Sequence, residues 1–292
     1  MSDVTRAIAA AISVATSLDL RAEDAIVLHH SNRLTLRLTP CDIVARVAPV
    51  EHGAAPLEVE LAQRLANAGC PVGRVAPQAD PLVYRRDGFG VTLWTYWDPV
   101  SPHTPPADYA RALESLHVGM PRIDVPIPRF TGRILEAAAI VTNPDRSPEL
   151  ADDDRVFLSG RLDSLRRAID GRGAMEQLLH GEPHQGNVIN TKDGPLFIDL
   201  ETCCRGPVEF DLAHVPTAVG EQYPNVEQGL LDDCRQLVLA MVAAWRWEVG
   251  DQFPNGRRFG EAFLRALHEG PPWPTLDQMN KRLDGLQNPT VR

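Results

Sequence analysis

Lysine is almost missing from this sequence. Of 29 basic residues only Lys192 and Lys281 are lysines, so 27 are arginines. Any chemistry that ordinarily falls to a lysine must be done here by an arginine or by one of these two. No run approaches the roughly 18 apolar residues that a membrane helix needs. The five cysteines (Cys41, Cys70, Cys203, Cys204 and Cys234) make no even framework and no C-x-x-C. They read as reduced thiols of a cytoplasmic protein. A basic stripe is missing too. The formal net charge of −10 and pI near 5.4 argue against a partner with a nucleic-acid backbone. What remains is ordinary for a folded chain of 292 residues, with 43% hydrophobic and 23% charged positions. The Ala-rich start, with one Arg and no basic segment ahead of it, reads as an amphipathic helix rather than a signal peptide.

The patterns that are present divide the chain in two. After a helix over 2–18, the runs 25–30, 33–38 and 43–47 read as strands, the first two joined by the polar turn Ser31-Asn32. In the second run Leu34, Leu36 and Leu38 alternate with Arg33, Thr35 and Arg37. A helix follows over about 56–68, with Pro56 in its first turn and Gly69 at its end. The turn Asp87-Gly88 joins strands 82–86 and 89–97. The proline-rich segment 98–106 is the linker candidate, giving a β-rich part, 1–97, and a helical part, 98–292. Helices are expected over 107–118, 131–142, 152–171, 208–219, 226–249 and 256–268, with one β interruption at 188–190 and 195–200. The fold class is α+β.

Residues 178–202 hold the densest polar pattern: His180-x-Glu182-x-x-x-x-Asn187, then a hairpin, then Asp199. Phosphoryl transfer asks for such a set. One carboxylate orients the acceptor hydroxyl, while a neutral oxygen and a second carboxylate hold Mg²⁺ against nucleotide phosphates. His180-x-Glu182 also fits the H-x-E of zinc deaminases, but the P-C-x-x-C that must follow is absent, Cys203 and Cys204 being adjacent.

In HGEPHQGN and FIDLE the chain resembles the aminoglycoside phosphotransferase and choline kinase-like family, whose pattern is H-G-D-x-x-x-x-N followed by I-D-x-[DE]. GPVEFDLAH is similar to the family's G-x-x-x-x-D-L-A segment, VTLWTYW to its hinge strand, and YARALESLH to the helix after it. The resemblance implies a two-lobed protein-kinase-like fold and an ATP-dependent transfer to a hydroxyl of a small molecule, whether aminoglycoside-like, an amino alcohol or a sugar. It implies Asn187 and Asp199 as ligands of Mg²⁺, Asp211 as the helix-borne brace of the catalytic loop, and His180 as loop support. Glu182 stands where the family has its catalytic Asp, one methylene longer.

Arg46, in the third strand, sits at the family's phosphate-binding lysine. Its acidic partner on the following helix is either Glu58 or Glu60. At 100° per residue Glu58 shares a face with Leu61, Ala62 and Leu65, while Glu60 points away, which favours Glu58. No G-x-G-x-x-G loop precedes the strand, so Ser31 and Asn32 are left to cover the phosphates. Trp94 and Tyr96 serve either as core aromatics or as the wall and backbone edge of an adenine site. Glu201 reads equally as a substrate contact or as loop support. A nucleotide-binding pseudokinase is the alternative to an enzyme, and neither nucleic acid nor membrane is expected as a partner.

Overall fold

The computed structural model describes residues 2–30, 33–50, 53 and 55–285. Ser31 and Asn32, expected over the phosphates, lie outside the described residues. The chain forms two compact units. The first comprises residues 1–104, 118–123 and 188–201, and the second 105–117, 124–187 and 202–292.

The first unit is built on a five-stranded antiparallel sheet, preceded by helix α1 (Asp3–Ser17). Strands β1 (Ala22–His30), β2 (Leu34–Pro40), β3 (Ile43–Pro49), β4 (Tyr84–Arg86) and β5 (Phe89–Thr95) lie in the order β1-β2-β3-β5-β4. Period-two alternation fixes the faces. Leu36 opposes Ala45, which opposes Leu93, and this face packs on the alanine-rich side of α1 at Ala7, Ala10, Ala11 and Val14. Thr35, Arg46 and Thr92 oppose one another on the other face. Helix α2 (Ala55–Asn67) turns Glu58, Leu61, Ala62 and Leu65 inward.

Two later strands, β6 (Gln177–Leu179) in the second unit and the hairpin strand β7 (Val188–Thr191) in the first, introduce the pattern read above. Strand β8 (Gly194–Phe197) completes the hairpin and is held by the 71–73 segment. The Phe197 amide donates to the Pro71 carbonyl at 2.8 Å, and the Gly73 amide to the Phe197 carbonyl at 2.7 Å. The run 195–200, expected as strand throughout, stops at Phe197, because Asp199 adopts a left-handed backbone with φ of 65°.

The second unit is mainly helical: α3 (Pro106–Gly119), α4 (Thr131–Thr142), α5 (Asp152–Gly171), α6 (Val208–Leu212), α7 (Thr217–Gly220), α8 (Gln228–Trp245), α9 (Gly256–Glu269) and α10 (Leu276–Gly285). A short strand β9 (Cys204–Gly206) pairs with β6. The span 208–219, expected as one helix, is broken into α6 and α7. Pro216 caps α7; inside a continuous helix it would lack an amide and crowd the preceding turn. Leu158, Leu162, Leu165 and Ile169 of α5 and Leu230, Leu237 and Met241 of α8 are buried in its core. No described helix is long and apolar enough to cross a membrane.

Candidate active site

In the first unit a chain of buried charge starts from α2. Glu58 is 1% exposed, and a carboxylate so placed needs cationic partners. It has two. Arg46 of β3 pairs with Oε1, and Arg33, just ahead of β2, meets Oε2 at 2.6 Å. Glu60, the rival partner, is half-exposed and pairs with Arg64 one turn along the same helix at 2.7 Å. The second Nη of Arg46 lies 2.9 Å from Oδ1 of Asp199, and that of Arg33 pairs with Glu201. Two guanidinium groups thus face three carboxylates. Burial disfavours the charge on Arg46, but Glu58 and Asp199 outweigh it and raise its pKa.

Asp199 follows β8 at the left-handed turn, a conformation that costs a non-glycine residue energy and clusters at functional sites. Its Oδ1 is buried, and although Arg46 is close, no donor is aligned to hydrogen-bond it. Trp94 is buried on the Arg46 face of the sheet and donates its indole N–H to Thr92 at 2.8 Å. The ring of Tyr96 carries the Arg37 guanidinium, 4.0 Å from its centroid.

In the second unit the loop 180–187 is held from several sides. Asp211 of α6, fully buried, accepts from the amides of His180 and Gly181 at 2.9 and 2.8 Å and from His117 Nε2 at 2.9 Å. Burial would raise its pKa; the bond from His117 and the neighbouring imidazoles lower it. Gly181 has φ of 89°, and a Cβ there would run into the Thr202 carbonyl, so this turn demands glycine. Tyr109 of α3 donates its hydroxyl to the Pro183 carbonyl. Asn187 spends its amide nitrogen on the Glu182 carbonyl at 3.0 Å, leaving Oδ1 as the end able to meet a cation.

The first unit thus carries a charged chain through β2, β3 and α2 that reaches an Asp at a left-handed turn, and the second unit carries a carboxylate-bearing loop braced by a buried Asp. Residues 27–276 match the model of the phosphotransferase enzyme family. The chain belongs to that family. Its fold is the kinase-like α+β fold, shared with solved structures at low identity. A choline/ethanolamine kinase family protein from Mesorhizobium loti superposes with a TM-score of 0.67 at 16% identity, over 93% of this chain and 96% of that one. The amicoumacin kinase hAmiN, in complex with AMP-PNP, Ca²⁺ and Ami, gives 0.69 at 11%, over 97% and 100%. APH(2")-IIia in complex with GDP and kanamycin gives 0.64 at 16%, over 91% and 97%. No curated protein matches the chain in sequence.

Each unit of this phosphotransferase-family chain offers an oxygen donor of the kind a hard divalent cation takes. Taken unit by unit, the carboxylate of Asp199 in the first, whose buried Oδ1 pairs with Arg46, and the amide oxygen of Asn187 in the second are each of the hard oxygen type that Mg²⁺ takes, and it takes few from protein when phosphates supply the rest. Among the described residues no cluster of three His, Cys, Asp or Glu could hold a metal unaided. Cys203 and Cys204 are buried, and burial pushes the Cys204 pKa up, away from reactivity.

Arg133 of α4 is the residue that sequence reasoning missed here. Its guanidinium pairs with Glu182, donates to the Gly181 carbonyl at 3.3 Å and stacks on Trp245 at 4.8 Å. Burial would raise the Glu182 pKa, yet the charge of Arg133, with help from His214 and His184, takes it down to about 2. Glu182 is therefore an anion throughout the working range. Such a group accepts a hydrogen bond from a hydroxyl and orients it well, but stores a proton poorly. Removing Arg133 should leave burial unopposed. Arg133→Met is predicted to move the Glu182 pKa above about 4.5, the unperturbed carboxyl value. A carboxyl-carbon NMR titration of the folded protein checks this, and a midpoint still near 2 would contradict it.

Burial also lowers the pKa of His214 to about 4, its Nδ1 lying 2.9 Å from the Phe210 carbonyl. With the folded pKa below the unfolded one, the group contributes stability that is complete above about pH 6.5 and lost as the pH falls through about 4. Wild type is predicted to lose about 2–3 kcal/mol through His214 between pH 7 and 4, and His214→Gln to flatten that slope. Urea unfolding at both pH values measures it.

Proposed function

We propose that the chain is an ATP-dependent O-phosphotransferase acting on a hydroxyl of a small molecule. The observation that carries this reading is the Arg46 guanidinium shared between Glu58 on α2 and Asp199 after β8. It supplies a phosphate-binding cation, its orienting acid and a cation-ligating carboxylate in one connected group. Arginine replaces the usual lysine in a chain that has almost none, and grips phosphate oxygens with two parallel bonds rather than as a point charge.

In this reading Arg46 holds the nucleotide phosphates, and Trp94 and Tyr96 border the adenine. Asn187 and Asp199 would hold Mg²⁺, which when bound neutralises charge on the transferring phosphoryl group. Glu182 accepts the hydrogen bond of the acceptor hydroxyl and fixes its direction of attack, while Arg133 fixes Glu182. Asp211 and His180 keep the loop in shape, and Glu201 stays with Arg33 as support. Relatives of this fold are described with kanamycin, with Ami and as choline/ethanolamine kinase family members. An amine-bearing alcohol, an aminoglycoside-like compound or a sugar therefore forms the acceptor panel. Five cysteines that form no disulfide among the described residues accord with a cytoplasmic setting.

The second reading is a nucleotide-binding module without transfer, favoured by one observation: Glu182 is already neutralised by Arg133. A nucleotide-consumption screen over hydroxyl-bearing metabolites and antibiotics, with ATP and GTP as donors, separates the two. The enzyme reading predicts acceptor-dependent turnover that falls at least about a hundredfold in Asp199→Ala and in Glu182→Gln, the latter still binding nucleotide. Nucleotide-induced thermal stabilisation without any turnover would favour the binding module, and turnover unchanged in Asp199→Ala would sink the assignment.

A further inference from the structure

Arg33 is buried, 7% exposed, and bridges two carboxylates from distant parts of the first unit. Its Nη1 is 2.6 Å from Glu58 Oε2 and its Nη2 pairs with Glu201, two residues beyond Asp199. Arg46 uses the other oxygen of the same Glu58, and also reaches Asp199. The two arginines are therefore not equivalent. Arg46 is joined to the residue placed at the metal, whereas both partners of Arg33 are acids that the nucleotide reading does not need to release.

We propose that Arg33 is a positioning residue, which keeps Glu58 neutralised while Arg46 turns its charge toward the nucleotide phosphates. The proposal rests on the phosphotransferase reading. Glu58 has almost no contact with water, and a buried carboxylate stripped of its cation is strongly disfavoured. With a single cationic partner, any shift of that cation onto a phosphate would expose this penalty and pull the cation back. Here the second oxygen stays paired whatever Arg46 does. Glu201 anchors the far end of Arg33, so Arg33 does not follow Arg46. A lysine is a poorer bridge, since its single ammonium nitrogen must reach both carboxylates, whereas the guanidinium turns a separate nitrogen to each.

The test is the affinity for Mg·ADP by titration calorimetry, with thermal unfolding, on wild type, Arg33→Lys, Arg33→Met, Glu201→Gln and Arg33→Lys/Glu201→Gln. Arg33→Lys is expected to bind about three- to tenfold more weakly than wild type, and Arg33→Met more than about tenfold, the range of a coupled contact pair. Neutralising Glu201 lets the lysine serve Glu58 alone, so the double variant should return to within about twofold of Glu201→Gln. If Arg33→Met does not fold, the comparison is read from Arg33→Lys and its rescue. Lower melting temperatures with unchanged Mg·ADP affinity would make Arg33 purely structural and overturn the proposal, while leaving the phosphotransferase reading intact. Wild type that binds no Mg·ADP would remove that reading, and the proposal with it.

Discussion

The first unit depends on one buried carboxylate. Glu58 sits inside because α2 turns one face to the protein, and its side chain shares that face with Leu61, Ala62 and Leu65. A charge there would be expelled or neutralised were it not matched. Arg33 and Arg46 reach it from the polar face of the sheet, the face set by the alternation that buries Leu34, Leu36 and Leu38 on α1. The same two arginines extend to Asp199 and Glu201 beyond β8, so the position of that turn is tied to the sheet through charge as well as through backbone. Buried ion pairs of this kind add little net stability over a well-packed apolar alternative, but removing one member costs about 3–5 kcal/mol. Such a network fixes geometry more than it stabilises the fold.

The loop of the second unit is organised by the same principle with different groups. Asp211 supplies acceptors for two backbone amides and an imidazole, and so holds His180 and Gly181 in a turn that only glycine can make. Arg133 then fixes the Glu182 side chain. In both units a carboxylate is held well by arginine, in a chain that uses arginine almost to the exclusion of lysine. The lone departure of the loop from its family pattern, Glu for Asp, is accompanied by a guanidinium that takes up the longer side chain.

Much of this was legible in the sequence. The alternation over 33–38, the Asp-Gly turn and the Pro and Gly punctuation of α2 locate the sheet and its helix, and the spacing around His180, Glu182, Asn187 and Asp199 locates the loops. Arg33 was not legible, because an arginine alternating with leucines reads as the solvated face of a strand. Only the approach of Glu58 and Glu201, far along the chain, makes that face interior. Arg133 lies in an ordinary helical pattern, and nothing local marks it as the partner of a residue 49 positions later. The three-residue pair β6–β9 and helix α10 were too short or too polar to stand out. Pro216 did announce the break between α6 and α7, but the apolar run around it read as one helix.

In the function proposed above, Asp199 and its arginine neighbours receive a nucleotide together with a divalent cation. The most direct measurement is the affinity for AMP-PNP with and without Mg²⁺, in wild type and in Asp199→Asn. Mg²⁺ is expected to tighten binding to wild type by at least about tenfold, and this gain to disappear in the variant if the Asp199 carboxylate is the cation's charged protein ligand, as proposed. Equal affinity with and without Mg²⁺ in wild type, or a gain that survives in Asp199→Asn, would contradict it.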